Sequence, residues 1–168
     1  MILRRLSTAD AAFILRLLNE PSWLRYIGDR GVRTLAAARD YILCGPLESY
    51  QRFGFGLYLV ELKASGVPIG LCGLIKRETL PDVDIGFALL PEFCGSGYAF
   101  EAASAVLVLG ERVFGLRRIV AITKPDNHSS IKVLEKLGLR FERTLRLSEG
   151  EGEVRLYAPP GAKSEESL

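Results

Sequence analysis

The sequence predicts a single α/β domain, built on one mixed and curved sheet of about seven mostly antiparallel strands with helices on both faces. Short runs with apolar residues at every second position indicate strands, and longer runs with apolar residues three or four apart indicate helices. In chain order these runs read β-α-α-β-β-β-α-β-α-β-β. The length of 168 residues suits one domain with its own core, and the sequence shows no internal repeat.

The elements of the N-terminal half follow from this spacing and from capping residues. A hydroxyl at a helix start accepts a backbone N–H that has no partner inside the helix, which assigns Ser7 or Thr8 to the first helix and Thr34 to the second. Gly70 and Gly73 are expected to mark bulges in a strand. The predicted elements are a strand over residues 2–6, a helix over 10–18, an irregular stretch over 20–33, a helix over 35–43, a turn-rich connection over 45–52, and strands over 53–62 and 68–75 joined by a hairpin at 64–66.

The C-terminal half is expected to hold the centre of the sheet. A strand over residues 83–90 alternates, so that its odd-numbered side chains share one face. The helix that follows, over residues 98–114, is apolar nearly all round and is predicted to be buried. A strand over 118–123, a helix over 129–137 stopped by Gly138, and a hairpin of strands over 139–147 and 153–157 complete the domain. The domain is predicted to span residues 1–158, and residues 159–168, PPGAKSEESL, are predicted to be a disordered tail.

Composition and charge exclude several function classes. With 22 Lys and Arg against 20 Asp and Glu, the net charge is +2, too balanced for a nucleic-acid or anionic-membrane partner. Cys44, Cys72 and Cys94 are far apart, without a CxxC pair or a Cys/His cluster, so neither disulfides nor a metal site are expected. No stretch is typical of a signal peptide or reaches the roughly 20 apolar residues of a membrane span. We therefore expect a cytoplasmic protein that uses no metal, nucleic acid or membrane.

The most informative stretch reads LLPEFCGSGYAFEA over residues 89–102, a pattern of strand, glycine loop and helix. Unpaired N–H groups at a helix start suit a phosphate or another anion, and Gly95 and Gly97 allow a ligand to approach the backbone. A mononucleotide P-loop is excluded, because Tyr98 follows where Lys is required. A dinucleotide fingerprint is disfavoured, because Phe100 stands where a small residue is needed. The pyrophosphate of coenzyme A is the third interpretation.

The same stretch resembles the coenzyme A loop of the GNAT superfamily of N-acetyltransferases, Arg/Gln-x-x-Gly-x-Gly/Ala. Cys94, Gly97 and Ala99 occupy its signature positions, and GYAFEA is similar to the GYATEA of the branch that acetylates ribosomal-protein N-termini. A second stretch, KPDNHSSIKVLEKLGLRFE, resembles the N-x-x-S segment of the family, with Asn127 and Ser130 in place. The two motifs stand in the family's order, about thirty residues apart, which is more specific than either alone. The resemblance covers about residues 2–157 and implies the acyl-CoA N-acyltransferase fold.

The resemblance implies acetyl-CoA as co-substrate and a set of residues that contact it. Cys94 and Ser96 replace the usual Arg or Gln and the frequent Lys or Arg, so backbone N–H groups of the loop are expected to hold the pyrophosphate. In the family the fourth and fifth strands splay apart, and the pantetheine pairs with the free edge of the fourth. An N–H on that edge would stabilise the oxyanion of the tetrahedral intermediate, commonly worth about 3–4 kcal/mol. The implied contact residues are Phe87, Leu89 and Leu90 on the strand, Cys94, Gly95, Ser96, Gly97, Tyr98 and Ala99 in the loop, and Asn127, which contacts the pantetheine or a bridging water.

Proton transfer is where the chain departs from the family. The Tyr that many members place seven residues after the Asn is Leu134 here, which cannot donate a proton. Ser130 is the predicted donor, acting by itself or as a relay from a water, and its alternative role is to satisfy backbone groups at a helix start. Asp84 is the predicted base, with Glu78 and Glu142 as further candidates, and a chain of waters would need none of them.

These features predict an N-acetyltransferase that moves an acetyl group from acetyl-CoA to a primary amine by direct attack through a tetrahedral intermediate. The acceptor is left open between a protein N-terminus and a small-molecule amine, and Trp23 and Tyr26 either line its cleft or pack in the core. The alternative is a catalytically weak acyl-CoA-binding sensor or partner module, favoured by the absent Tyr donor and loop cations. A monomer or a homodimer is expected, since apolar terminal strands can pair. Cys94, beside the cofactor thiol, is a candidate for a mixed disulfide with coenzyme A.

Overall fold

The computed structural model describes residues 1–150 and 152–161, and its centre is one open sheet of seven strands. The strands are β1 (Ile2–Arg5), β2 (Leu57–Glu61), β3 (Pro68–Ile75), β4 (Val83–Leu89), β5 (Ile119–Thr123), β6 (Arg140–Leu145) and β7 (Val154–Ala158). Their order is β1-β2-β3-β4-β5-β7-β6, and within the described chain only β4 and β5 run parallel. The predicted mixed, mostly antiparallel sheet is confirmed.

Helices cover both faces of this sheet, as predicted. They are α1 (Ala11–Leu18), α2 (Pro21–Tyr26), α3 (Leu35–Ile42), α4 (Glu48–Phe53), α5 (Tyr98–Arg112) and α6 (His128–Lys136). The α1, α2 and α3 helices pack on one face, and α5 and α6 pack on the other. The predicted cap Thr34 is confirmed, since its Oγ1 accepts the Ala37 N–H at 3.1 Å. Ser7 instead precedes a 3-10 turn, Thr8–Asp10, in front of α1, and its backbone N–H donates to Asp10 Oδ2 at 2.8 Å. None of the described helices is both long and apolar enough to cross a bilayer.

The alternation of β4 divides the core into two clusters. Val83, Ile85 and Leu89 pack with α5 and α6, whereas Leu90, directly after the strand, packs with α1, α2 and α3. The predicted common face of the odd-numbered residues is therefore confirmed. Since side chains alternate along a strand, Asp84 must face the same side as α1, α2 and α3.

The β4 and β5 strands separate soon after they meet. They pair at two positions only, Val83 with Ile119 and Asp84 with Val120. Beyond these positions β4 stays with β3 up to Leu89, whereas β5 pairs with β7. The gap between the two strands, here called the wedge, is closed at Asp84 and opens toward Leu89. Within the wedge the β5-facing edge of β4 has no partner strand among the described residues.

Two helices replace stretches that the sequence predicts as irregular. The prediction for residues 20–33 is wrong, because α2 begins there with Pro21 as its first residue, a position where a proline costs no hydrogen bond. The prediction for residues 45–52 is also wrong. The chain continues from α3 through a π-helical turn, Leu43–Leu47, into α4, and the buried Pro46 sits inside the wider turn. Both predictions were wrong for the same reason: the glycines and prolines of these stretches favour loops locally, but tertiary packing keeps the helices intact.

Three smaller predictions also need correction. The α5 helix is not buried all round, since Phe100 and Val108 are 39% and 48% exposed on the side away from the sheet. The β2 strand begins at residue 57 rather than 53, because α4 occupies the preceding residues. Of the two glycines expected to mark bulges, Gly70 borders a register shift, which lies between residues 60 and 61 of β2 and opposite residues 68–70 of β3. Gly73 is in register with β2, and a Cβ at this position would come within 2.1 Å of the Gly56 carbonyl oxygen. Most of the predicted tail, residues 162–168, lies outside the described residues.

Candidate active site

The glycine loop leaves β4 at the edge of the sheet where the wedge is open. After Leu90 the chain makes a short 3-10 turn, Pro91–Phe93, and reaches α5 through Gly95 and Gly97, whose φ angles are +80° and +85°. Residues with a side chain rarely adopt these angles, which explains glycine at both positions. A Cβ on either glycine would meet no atom within 4 Å, so the space around the loop is open to a ligand.

The start of α5 is free to bind an anion. This helix of 15 residues begins at Tyr98, and no side chain caps it. By contrast, α3 and α6 are capped by Thr34 and Asn127, whose side chains accept backbone N–H groups. A long uncapped helix presents unpaired N–H groups and the positive end of its dipole. Neither Cys94 nor Ser96 brings positive charge to this helix start, so an anion bound there would be held by backbone N–H groups.

The free edge of β4 leads from the closed end of the wedge to this loop. The Leu90 N–H donates to the Ile69 carbonyl oxygen on β3 at 2.8 Å. Backbone groups of successive strand residues point to opposite sides, so those of Leu89 and Phe87 face the wedge. The structure therefore brings two of the three predicted strand contacts to the wedge and turns the N–H of Leu90 away from it.

The second motif lies on the other side of the wedge opening. The carboxyl ends of parallel strands meet at one edge of a sheet, so the segment after β5 lies across from the glycine loop. In this segment Asn127 Oδ1 accepts the Ser130 N–H at 3.2 Å and caps α6. Both side chains are half-buried, and Leu134 is 1% exposed in the core. Asn127 therefore caps α6 through its Oδ1, and this cap does not use its amide N–H₂.

The α2 helix crosses the wedge opening on the face opposite α5. Its buried Trp23 packs in the same cluster as Leu90, at the end of β4. Two residues later, Arg25 Nη2 lies 3.0 Å from Asp126 Oδ2, and Lys124 Nζ donates to the Arg25 carbonyl oxygen. One end of the helix therefore contacts the β4 side and the other contacts the segment that carries the second motif. Of the two predicted alternatives for Trp23, the structure therefore shows packing in the core. The half-buried residues next to it in α2 are the ones positioned to line a cleft.

Asp84 occupies the closed end of the wedge. It is 1% exposed, and its Oδ1 accepts a hydrogen bond from Arg77 Nε at 2.9 Å. Burial raises the pKa of the Asp84 carboxyl above its ordinary value, although the Arg77 guanidinium acts in the opposite direction. A buried carboxyl with a raised pKa at a cleft is a candidate proton acceptor. Three residues of β5, about 10 Å, separate its partner Val120 from Thr123, so Ser130 lies at the other end of the wedge.

Comparison with known proteins decides the family. The sequence model described as an acetyltransferase (GNAT) domain matches residues 1–140. The chain belongs to the GNAT acetyltransferase family. It is 32% identical over 149 residues to the uncharacterized protein YkkB of Bacillus subtilis (strain 168), with 86% of this chain and 84% of that protein covered. It is also 27% identical over 142 residues to the uncharacterized N-acetyltransferase YnaD of the same organism, with 84% and 80% covered.

Solved GNAT structures share the fold. The acetyltransferase of Agrobacterium tumefaciens str. C58 superimposes with a TM-score of 0.78 at 26% identity, over 93% of this chain and 88% of that one. RimL, a ribosomal L7/L12 α-N-protein acetyltransferase in complex with coenzyme A, gives a TM-score of 0.79 at 20% identity, over 93% and 91%. This second likeness concerns the fold alone. GNAT enzymes transfer an acetyl group from acetyl-CoA to an amine, and this GNAT chain is an acyltransferase of that class.

The other candidate side chains of this GNAT chain lie away from the wedge opening. Glu142 accepts from Arg118 Nη2 at 2.7 Å, beside Asp82, at the amino ends of β4 and β5. That cluster and the glycine loop stand at opposite ends of β4, whose seven residues span roughly 23 Å. Glu78 is exposed in the connection between β3 and β4. The described residues hold no group of three or more His, Cys, Asp or Glu arranged for a metal.

Two features of the site were not found by sequence reasoning. No sequence pattern indicated Arg77, because Arg77 and Asp84 meet only through the turn between β3 and β4 and the burial of Asp84. The α2 helix had a signal, Pro21 before Trp23, that the neighbouring glycines obscured.

The Cys94 thiol lies 3.6 Å from the Leu90 carbonyl oxygen, and burial, with a smaller effect of Glu92, raises its pKa. A protonated thiol is a poor nucleophile, so the geometry does not favour the predicted mixed disulfide.

Proposed function

We propose that this GNAT enzyme acetylates a primary amine at a peptide N-terminus or on a small molecule, with the reaction centred in the wedge between β4 and β5. The observation that carries the proposal is the continuity of the wedge with an uncapped helix start behind Gly95 and Gly97. A free strand edge suits the amide-bearing pantetheine, and an open helix start suits the pyrophosphate. The two features follow each other along one segment, in the order in which coenzyme A carries these groups.

The glycine loop is proposed to bind the pyrophosphate through its backbone. The N–H groups proposed to bind it are those of Gly95, Ser96, Gly97, Tyr98 and Ala99, since the Cys94 N–H donates to the Pro91 carbonyl oxygen at 3.1 Å. Phe87 and Leu89 are proposed to pair with the pantetheine, because their backbone groups face the wedge. Leu90 is proposed to contact the pantetheine without donating its N–H, because that N–H is already hydrogen-bonded to β3. Asn127, across the opening, is proposed to contact the pantetheine through the amide N–H₂ that its capping role leaves free.

The proposed chemistry is direct attack of the amine on the thioester. The acceptor nitrogen forms a bond to the acyl carbon and loses two protons in total, starting from its ammonium form. The carbon–sulfur bond breaks, and the departing thiolate takes up one proton, so one proton leaves the site. Asp84 is proposed as the base, acting through a water because its carboxyl is buried. Ser130 is proposed to deliver the proton to the thiolate, by itself or as a relay from a water.

The face of the wedge opposite α5 is proposed to admit the acceptor. There α2 carries Arg25, and the following loop carries Arg30 and Arg33, with Lys124 at the end of β5. Arg25 is paired with Asp126 and Arg33 with Asp29, so this wall has no excess of negative charge to attract a polyamine, and it is compatible with a peptide or a small amine of low charge. We further propose a monomer or homodimer that works in a reducing, cytoplasmic compartment, which is supported by three cysteines that are all free.

A calorimetric titration with acetyl-CoA tests the cofactor site. A Gly97→Trp variant fills the loop, and Gly115→Trp is the matched control, since Gly115 also has a positive φ of +66° and open space but follows the far end of α5. We expect binding to the unmodified protein and to the control, and loss of binding in Gly97→Trp. Absence of binding to the unmodified protein would overturn the proposal.

Coenzyme A release with a panel of amines tests turnover. The panel contains peptides with free N-termini, the same peptides with blocked N-termini, small monoamines and a polyamine. Release with free but not blocked peptides supports a peptide acceptor, and release with monoamines supports a small-molecule acceptor. Binding of acetyl-CoA without release from any amine supports the second candidate, an acyl-CoA-binding module, for which the buried Leu134 in place of a Tyr donor is the favouring observation.

A further inference from the structure

Arg77 and Asp84 form an isolated charged pair beneath the acceptor side of the sheet. Arg77 lies in the connection between β3 and β4, and its side chain is 28% exposed, whereas the Asp84 side chain is 1% exposed. Arg77 reaches the carboxylate through Nε alone, at 2.9 Å. The strand partners on either side of Asp84 are Ile75 on β3 and Val120 on β5, which carry no charge. Arg77 is therefore the cation that balances a carboxylate otherwise flanked by apolar strands.

The α3 helix lies on the same face of the sheet as this pair. Tyr41 of α3 is close enough for Arg77 to affect it: burial raises the pKa of the Tyr41 hydroxyl, and Arg30 and Arg77 act in the opposite direction. Arg77 thus lies between α3 and β4. Among the described residues, Arg30 from the loop before α3 and Arg77 act on Tyr41, and Arg77 acts on Asp84.

We propose that Arg77 is a positioning residue, which keeps Asp84 ionised and oriented at the closed end of the wedge so that it can accept a proton from the acceptor amine. This inference rests on the proposed function of Asp84. A buried carboxyl with no cation beside it would hold its proton near neutral pH and could not act as a base. A two-point guanidinium contact would occupy both oxygens and weaken the base further. The single Nε contact holds one oxygen and leaves the other outside that hydrogen bond.

The first test compares pH profiles of kcat/KM for a fixed amine. Arg77→Met removes the charge and keeps much of the length, Arg77→Lys keeps the charge, and Arg52→Met is a control on an exposed ion pair of α4. An opposite charge within hydrogen-bond distance lowers a carboxyl pKa by about 1–3 units. We therefore expect the acid limb to move to higher pH by at least one unit in Arg77→Met, with tenfold lower kcat/KM on that limb and recovery at high pH. Arg77→Lys should restore most of the shift, and Arg52→Met should not move it.

The second test does not require turnover. Carboxyl-carbon NMR of protein labelled at aspartate follows the titration of Asp84 directly, with its resonance assigned by its absence in Asp84→Asn. We expect this resonance to titrate at higher pH in Arg77→Met than in the unmodified protein. The acetyl-CoA affinity and the thermal melt of each variant report whether the fold is kept, and Arg77→Gln, which is also neutral, replaces Arg77→Met if that variant fails to fold.

The outcomes separate this inference from the proposed function. A uniform loss of kcat across all pH values, or an unchanged carboxyl titration in Arg77→Met, would show a purely structural role for Arg77 and overturn the inference. A shifted carboxyl titration together with a full-rate Asp84→Asn enzyme would show that Arg77 controls the charge of Asp84 while Asp84 is not the base, which also overturns it. In both of these cases, acetyl-CoA binding that is retained by every variant would still support the proposed cofactor site.

Discussion

Replacing Arg118 with methionine should destabilise the fold strongly. The Arg118 side chain is 4% exposed, and its Nε donates to Asp82 Oδ2 at 2.9 Å. Its Nη2 donates to Glu142 Oε2 at 2.7 Å. Methionine fills much of the same space but leaves the carboxylate of Asp82, which is 5% exposed, without this cation. The other oxygen of that carboxylate, Oδ1, has no hydrogen-bond partner among the described residues.

The size of the effect follows from the burial of each partner. Removing one member of a buried ion pair costs about 3–5 kcal/mol, because an uncompensated charge stays buried. The Glu142 side chain is 37% exposed and can return to water, so its part of the cost is small. We therefore expect a loss of about 4 kcal/mol, a large part of the roughly 5–15 kcal/mol that stabilises a domain. For a domain of this size that loss corresponds to a melting temperature lower by about 8–16 °C.

Urea unfolding followed by circular dichroism at neutral pH measures the loss. Arg117→Met is the matched control, since Arg117 is the exposed neighbour in sequence. Adding Asp82→Asn to Arg118→Met removes the buried charge and should recover part of the stability. A loss below about 1 kcal/mol, or equal to that of Arg117→Met, would refute the argument that this cluster is a buried and mutually dependent set of charges.

Three further predictions concern the two motifs and the N-terminal helix. Thr34→Ala and Asn127→Ala each remove a helix cap and should cost about 1 kcal/mol of unfolding free energy, but only Asn127→Ala should also weaken acetyl-CoA binding in calorimetry. Leu134→Tyr, which introduces the family's donor residue, should lower stability by about 1–3 kcal/mol without raising the rate of coenzyme A release, because the site is fully packed; a faster enzyme would contradict this. Burial acts to raise the pKa of Asp10, but two hydrogen bonds from Arg4 help to lower it below its usual value. The Asp10 carboxylate therefore stabilises the fold above the ordinary Asp pKa, about 3.9, and this contribution is lost as pH falls through the lowered pKa. Unfolding measured from pH 7 to pH 2 should show the gap between the unmodified protein and Asp10→Asn closing over that range, and a constant gap would contradict the assignment.

Signals confined to a few neighbouring residues were sufficient for several elements. Thr34 marks the start of α3 because a hydroxyl cap acts within three residues, and Gly138 follows α6 with a φ of +87° for an equally local reason. The glycine loop was located in the same way, since strand end, positive-φ glycines and helix start are consecutive. The path through α2 and the π-helical turn was not predicted. There the local preference of glycine and proline for loops is outweighed by burial of Trp23 and Pro46.

The sequence by itself determined the alternation of β4, the open loop at Gly95 and Gly97, and the family, because each depends on short segments of consecutive residues. Only the tertiary structure decided which β4 backbone groups face the wedge, and which charges pair. The contact between Arg118 and Asp82 joins residues 36 positions apart, and that between Arg118 and Glu142 joins residues 24 apart. Strand order and register bring these groups together, and no short stretch of sequence contains both partners of such a pair.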